Sequence, residues 1–202
     1  MNINDGVTGC LWICGLATKG VFISCPTTGR VRSVSLANRD VVVTLADGTV
    51  EFINLADYDA EEQEPRFEKK AWNFQGNDAG NRVAQAYISD NFGMMLTSEG
   101  EVFSWGTTNQ YGQLGLGGSY SKGTMTTAKL TEVRKIAGSL LAKKIMTVAI
   151  GSYHAMAIDE SNALYSWGRA FEGQAAQPSN MGVVLSPRLV HFSSENPVVA
   201  VS

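Results

Sequence analysis

Apolar positions along this chain fall in short runs of β-branched and aromatic residues, and the gaps between runs hold turn-forming pairs. Val41, Val42 and Val43 run up to Asp47-Gly48, Met94, Met95 and Leu96 run up to Glu99-Gly100, and Ile158 runs up to Ser161-Asn162. Runs of about four to six such residues with this punctuation predict strands joined by hairpins. Residues 102–105 and 164–167 alternate, so Phe103 and Trp105, like Tyr165 and Trp167, share one sheet face, and Val102 and Ser104, like Leu164 and Ser166, share the other. Helical spacing is confined to residues 129–145, where Leu130, Val133, Ile136, Ala137, Leu140 and Leu141 are interrupted by Gly138. That stretch predicts at most a short helix or turn between strands.

The runs repeat. Residues 83–106 match residues 145–168 without a gap at an offset of 62, pairing Ile88 with Ile150, Met94 with Met156, Leu96 with Ile158, Phe103 with Tyr165 and Trp105 with Trp167. A weaker copy at residues 31–53, offset by 52, puts Asp47-Gly48 where Glu99-Gly100 stands later and lacks the Ser-Trp-Gly ending. At the edges, residues 10–15 line up with 163–168, and residues 199–202 with 148–151. Spacings above about 50 residues exceed leucine-rich and ankyrin units and fit a four-stranded propeller blade with generous loops. The predicted organisation is one partial β-propeller over residues 1–202. Residues 1–30 end a preceding repeat, 31–82 form a degenerate repeat with a charged insertion at 57–70, 83–144 and 145–198 are two further repeats, and 199–202 start another.

Trp105-Gly106, Asn109, Gly112, Gln113, Leu114, Gly115 and Gly117 spell W-G-x-x-N-x-x-G-Q-L-G-x-G, and Val148, Gly151, His154 and Ala157 spell V-x-x-G-x-x-H-x-x-A. This pair of motifs resembles the repeat signature of the regulator of chromosome condensation family. The resemblance implies a seven-bladed β-propeller, of which this chain supplies about three blades plus partial blades at both ends, an incomplete or open ring. At roughly 55 residues per unit a full ring needs on the order of 385 residues. The open blade faces are then expected to be covered by more of the same chain or by another chain. In the last copy the glycine motif has become Trp167-Gly168-Arg169-Ala170-Phe171-Glu172-Gly173-Gln174-Ala175-Ala176, and in the first copy Ile53-Asn54 replaces Trp-Gly. Physically, the glycines permit positive φ and close strand approach, and Asn109 and Gln113 can hydrogen-bond loop backbone that no ladder satisfies.

Composition narrows the partners. Hydrophobic residues at 44% and charged residues at 17% of a 202-residue chain supply a packed core and exclude a disordered tail. Glycine is the excess, 21 residues against only 5 prolines, which the many turns of the blades explain. Sixteen Lys and Arg against nineteen Asp and Glu leave a net charge of -3, so neither nucleic-acid nor membrane binding is expected. The three cysteines, Cys10, Cys14 and Cys25, are odd in number and read as reduced, buried small hydrophobes of an intracellular protein, cytoplasmic or nuclear and in some settings cytoskeletal.

Candidate chemistry is sparse, and no cofactor, metal or catalytic residue is predicted. His154 is read as the structural histidine of the repeat, and His191 as a strand or surface residue. Cys10, Cys14 and Cys25 lack the C-x2-C spacing and the fourth ligand of a zinc site. Residues 112–117 lack the Lys-Ser/Thr of a phosphate loop. Asp40, Asp47, Asp90, Glu99, Asp159 and Glu160 read as solvated turn residues. In the charged insertion, Asp57, Asp59, Glu61, Glu62 and Glu64 form a candidate docking loop for a basic partner surface.

The expected function is a non-catalytic protein-interaction or scaffold module, part of a larger protein or assembly. The alternative is a guanine-nucleotide exchange factor or regulator of a small GTPase, because founding members of the resembled family act on a nuclear GTPase. No basic N-terminal tail and no recognisable exchange hairpin accompany it here. A propeller hydrolase would need carboxylates converging on a channel mouth, and ultraviolet sensing of the kind a plant member performs would need clustered tryptophans, whereas Trp12 and Trp72 stand apart.

Overall fold

The structure, a computed structural model, describes residues 9–13, 23–38, 40–57, 66–72, 81–106, 108–118, 133–178, 180–192 and 198–201. Two compact units divide the chain, residues 1–88 and residues 89–202.

In the first unit, β1 (Gly9–Ile13) and β2 (Ile23–Thr27) form an antiparallel pair, with Leu11 opposite Cys25. β3 (Val31–Ala37), β4 (Asp40–Leu45), β5 (Val50–Asp57) and β6 (Arg66–Trp72) follow as an antiparallel meander in chain order. β4 carries the run Val41-Val42-Val43 and is buried on both faces, as a central strand between two packed layers must be. Val41, Val43, Leu45, Ile53 and Cys25 make one core cluster, against which Leu11, Val31 and Val34 pack. β7 (Val83–Ile88) closes the unit; its Ile88 N–H donates to Ser35 Oγ at 3.0 Å.

The second unit holds β8 (Phe92–Thr97), β9 (Val102–Gly106) and the two-residue β10 (Arg134–Lys135), giving a sheet in the order β10-β9-β8-β7. Of the stretch with helical spacing, residues 129–132 lie outside the described residues, and within the rest Gly138–Leu140 form a 3-10 turn. β11 (Ile145–Ile150), β12 (His154–Asp159), β13 (Leu164–Arg169) and β14 (Val183–Leu189) then build another meander. Three consecutive four-stranded antiparallel meanders are the building units of a β-propeller, and the fold is all-β.

Each β-hairpin between the second and third strands of a sheet turns where the sequence places turn chemistry. Gly48, Gly100 and Asn162 take φ of 89°, 81° and 64°, and the closing bonds are Leu45 N–H to Thr49 O, Thr97 N–H to Glu101 O and Asp159 N–H to Ala163 O, at 2.8, 2.9 and 3.1 Å. Charge is handled at the same ends: Lys135 pairs with Glu101, and Lys143 lies 3.6 Å from Asp159. Among the described residues no helix is long and apolar enough to cross a membrane.

Candidate functional site

The glycine-rich loop after β9 is where the motif residues converge. It runs outward from Trp105-Gly106 and turns twice, Gly112 N–H donating to Asn109 O at 3.1 Å and Gly115 N–H to Gly112 O at 2.9 Å. Gln113 is fully buried and spends its amide on the loop itself: Nε2 donates to Thr108 O at 2.9 Å, and Oε1 accepts Tyr111 N–H at 3.0 Å. Asn109 Oδ1 accepts Leu114 N–H at 3.0 Å, and Ser104 Oγ donates back to Leu114 O at 2.7 Å. These side chains replace the ladder partners that an irregular buried segment lacks.

On its far side the loop lies against the next sheet. Trp167 on β13 is completely buried and donates its Nε1–H to Gln113 O at 3.0 Å. A Cβ at Gly115, where φ is 67°, would meet that indole nitrogen at 2.8 Å. Gly117 N–H donates to Leu185 O on β14 at 3.0 Å. The loop is therefore a peg that hydrogen-bonds its own sheet on one side and seats the next sheet's tryptophan on the other.

Gly151 and His154 have a related role. A Cβ at Gly151 would fall 2.3 Å from His154 Cε1, so the imidazole lies over the glycine, and Gly151 N–H donates to His154 O at 2.9 Å. Burial pushes the His154 imidazole below its ordinary value of 6.5, so it is neutral at neutral pH. Gly168, opposite His154, lets Arg169 N–H reach Tyr153 O at 2.8 Å. Gly106 permits the matching approach of Phe92. Gly173 and Gln174 sit in a second loop after β13, where Gln174 Oε1 accepts Glu172 N–H at 2.9 Å.

Of the acidic docking-loop candidates, Asp57 ends β5 and faces Arg66 of β6 across the sheet, while Asp59, Glu61, Glu62 and Glu64 lie outside the described residues. Residues 66–70 of the charged insertion are strand, which shortens the loop. Cys25 is buried in the core of the first unit, and His191 is exposed just beyond β14. Among the described residues no three His, Cys, Asp or Glu side chains come together as a metal site.

Asp159 corrects its reading as a solvated turn residue: it is buried, at 2% exposure. Its Oδ1 accepts Ser161 N–H and Ala163 N–H at 2.9 Å each and Ser161 Oγ–H at 2.6 Å. Burial pushes this carboxyl up, but the Ser161 hydroxyl, the Ala163 and Ser161 N–H groups and the Lys143 charge more than reverse that and hold it below the usual aspartate value. The sequence also gave no hint of a surface cluster in this unit. Tyr111 meets Tyr153 edge-on at 5.2 Å and Phe171 at 6.3 Å, and the Arg169 guanidinium lies over Tyr111 and Phe171 at 5.6 and 5.8 Å. Phe171 is 56% exposed. Tyr111, Tyr153 and Phe171 come from three loops and Arg169 ends β13, so no local spacing could reveal the cluster.

Comparison with known proteins places this loop architecture. Two models of the regulator of chromosome condensation (RCC1) repeat match, one over residues 99–158 and the other over residues 83–113 and 147–174. Residues 83–174 belong to the regulator of chromosome condensation repeat family. Protein RCC2 homolog of Danio rerio is 31% identical over 109 residues, covering 54% of this chain and 20% of that protein. Alsin of Rattus norvegicus is 32% identical over 123 residues, 60% of this chain and 7% of alsin. The chain thus spans a fifth or less of these relatives. Yeast RCC1 (Prp20), in its complex with Kap60, superposes with a TM-score of 0.62 at 16% identity, over 84% of this chain and 39% of that one. The fold is a partial β-propeller.

Proposed function

We propose that the chain is a non-catalytic protein-interaction segment of a larger propeller. One observation carries the reading: the polar side chains of the repeat motif are consumed by the protein's own backbone. Gln113, Asn109, Ser104 and Trp167 all bond loop or strand backbone groups, which leaves recognition to exposed loops. The Tyr111, Tyr153, Phe171 and Arg169 cluster is the surface that supports it best: Phe171 is exposed, the other three are half-buried beside it, and aromatic and arginine side chains are the types that anchor protein interfaces. Affinity purification of the native protein, with partners identified by mass, tests this. Phe171→Ala together with Arg169→Ala is expected to lose a partner that Glu99→Gln retains; equal recovery in both sinks the reading. Deleting residues 58–64 asks the same of the acidic loop.

The second reading, regulation of a small GTPase, draws support from Prp20, whose solved structure was described with its binding to Gsp1p and histones. Release of labelled GDP from a panel of small GTPases decides it, and no stimulation by the native full-length protein removes it. Action inside the cell, in cytoplasm or nucleus, accompanies both readings, and cell fractionation tests that.

A further inference from the structure

Arg169 ends β13 with its charge only partly satisfied. Its guanidinium lies over the rings of Tyr111 and Phe171 at 5.6 and 5.8 Å, and its backbone N–H is tied to Tyr153 O at 2.8 Å. Among the described residues its one side-chain hydrogen bond runs from Nη2 to Glu172 Oε1 at 2.5 Å, while Nε is buried without a hydrogen-bond partner. A guanidinium holds a carboxylate most strongly through two parallel N–H bonds. Here it holds a single oxygen.

The other oxygen of Glu172 is turned away and accepts from Gln174 Nε2 at 2.8 Å. That bond is peculiar to this loop. In the loop after β9, Tyr111 stands where Glu172 stands, since in each case the N–H is accepted by the loop glutamine's Oε1, but there Gln113 gives its Nε2 to Thr108 O at 2.9 Å. Gln174 gives its amide to the carboxylate instead, so Glu172 keeps a partner when it leaves Arg169. The Glu172 side chain is also 57% exposed, where an ion pair adds little stability. Arg169, at 34% exposure and stacked on two rings, is the fixed member of the pair.

We propose, building on the reading of this cluster as the interaction surface, that Glu172 is a placeholder and that Arg169 receives a carboxylate from a partner peptide: one Asp or Glu flanked by an aromatic or large aliphatic residue that lies on Phe171. Complementarity selects this chemistry. Arg169 is the one cation of the cluster, its two-pronged mode is unused, and Phe171 beside it is 56% exposed. A cationic side chain from a partner would compete with Arg169 for the same ring faces. A run of acids does not fit either, because Asp90 is exposed next to Asn91, whose Nδ2 donates to Ser152 O beside Tyr153, and the chain as a whole carries a net charge of -3. A single carboxylate next to an apolar side chain is what the surface can hold.

Selection of a random-peptide phage library on the full chain tests this. The selected peptides are expected to carry one Asp or Glu beside an aromatic or large aliphatic residue, and the strongest is synthesised and titrated by calorimetry. Replacing its acid by the matching amide is expected to weaken binding about tenfold, the loss of a charge-assisted hydrogen bond. Arg169→Lys, which keeps the charge but not the fork, is expected to do the same. Glu172→Gln is expected to tighten binding about three- to fivefold, as removal of an exposed competing ion pair should; a gain of this kind cannot come from misfolding. Peptides that are lost in Phe171→Ala with Arg169→Ala yet carry no acid, or an affinity that Glu172→Gln leaves unchanged, overturn the carboxylate exchange while the docking surface stands. Selection of no peptide, or of peptides indifferent to that double variant, overturns the surface itself and the exchange with it.

Discussion

Trp105 and Trp167 stand in the same register of their sheets, opposite Gly93 and Ala155. The Trp105 indole lies across Gly93, where a Cβ would meet its Cζ2 at 2.0 Å, whereas Trp167, facing Ala155, sends its Nε1–H to Gln113 O. Gly93→Ala is therefore expected to cost about 1–3 kcal/mol by overpacking, with a red shift of the tryptophan emission as the indole is displaced. Ala155→Gly is expected to cost less, about 0.5–1 kcal/mol, and urea unfolding of the two variants checks the order. Asp159 gives a pH signature. Its carboxyl is held below the ordinary aspartate value of 3.8, so its stabilisation is complete above that value and is lost as pH falls through the lower folded value. Asp159→Asn is expected to lower stability by about 2 kcal/mol at pH 7. The gap between wild type and variant should close as the pH is taken below 3.8; a gap that stays constant in urea midpoints down to acid pH would contradict this.

At the scale of elements, the β1–β2 pair is fastened to its neighbouring sheet by a buried carboxylate. Glu51 on β5 is fully buried, and its Oε1 accepts the Thr28 N–H at 3.1 Å and the Thr28 Oγ–H at 2.6 Å, just after β2 ends. Leu11 and Cys25 add apolar contact to the same attachment. Glu51→Ala is expected to cost about 1–3 kcal/mol and to speed amide exchange in β2 while Val41 to Leu45 of β4 stay protected. Glu51→Gln, which keeps an acceptor for Thr28, should recover most of that protection. None of this was visible in the residue pattern: Glu51 sits in a run with Phe52 and Ile53, where a lone acidic residue reads as solvent-facing. The hairpins were legible, because Asp47-Gly48 and Glu99-Gly100 supply the positive φ that such turns require. The segment around Gly138 was legible only as an ambiguity, since apolar spacing cannot say whether its residues continue as helix or end in one 3-10 turn.

For the whole molecule, a net charge of -3 is the ground for expecting no binding to a polyanion. The protein is expected to leave the mobility of duplex DNA unchanged at about 150 mM salt, the range where non-specific binding is already weak, and a shifted band would refute that. Repetition is what let so much of the architecture be read in advance: the offset of 62 between Trp105 and Trp167 carries strand order, turn positions and family together, because every repeat must solve the same packing problem. By itself, then, the sequence determined the all-β class, the repeat and the glycine positions, all of which are local consequences of side-chain alternation and backbone freedom. Only the tertiary structure decided which way each indole points, that Asp159 and Glu51 are buried, and that Tyr111, Tyr153, Phe171 and Arg169 meet. Those outcomes depend on atoms brought together from distant stretches of chain, where a single methyl group or a single hydrogen-bond donor across a sheet settles what no local pattern can encode.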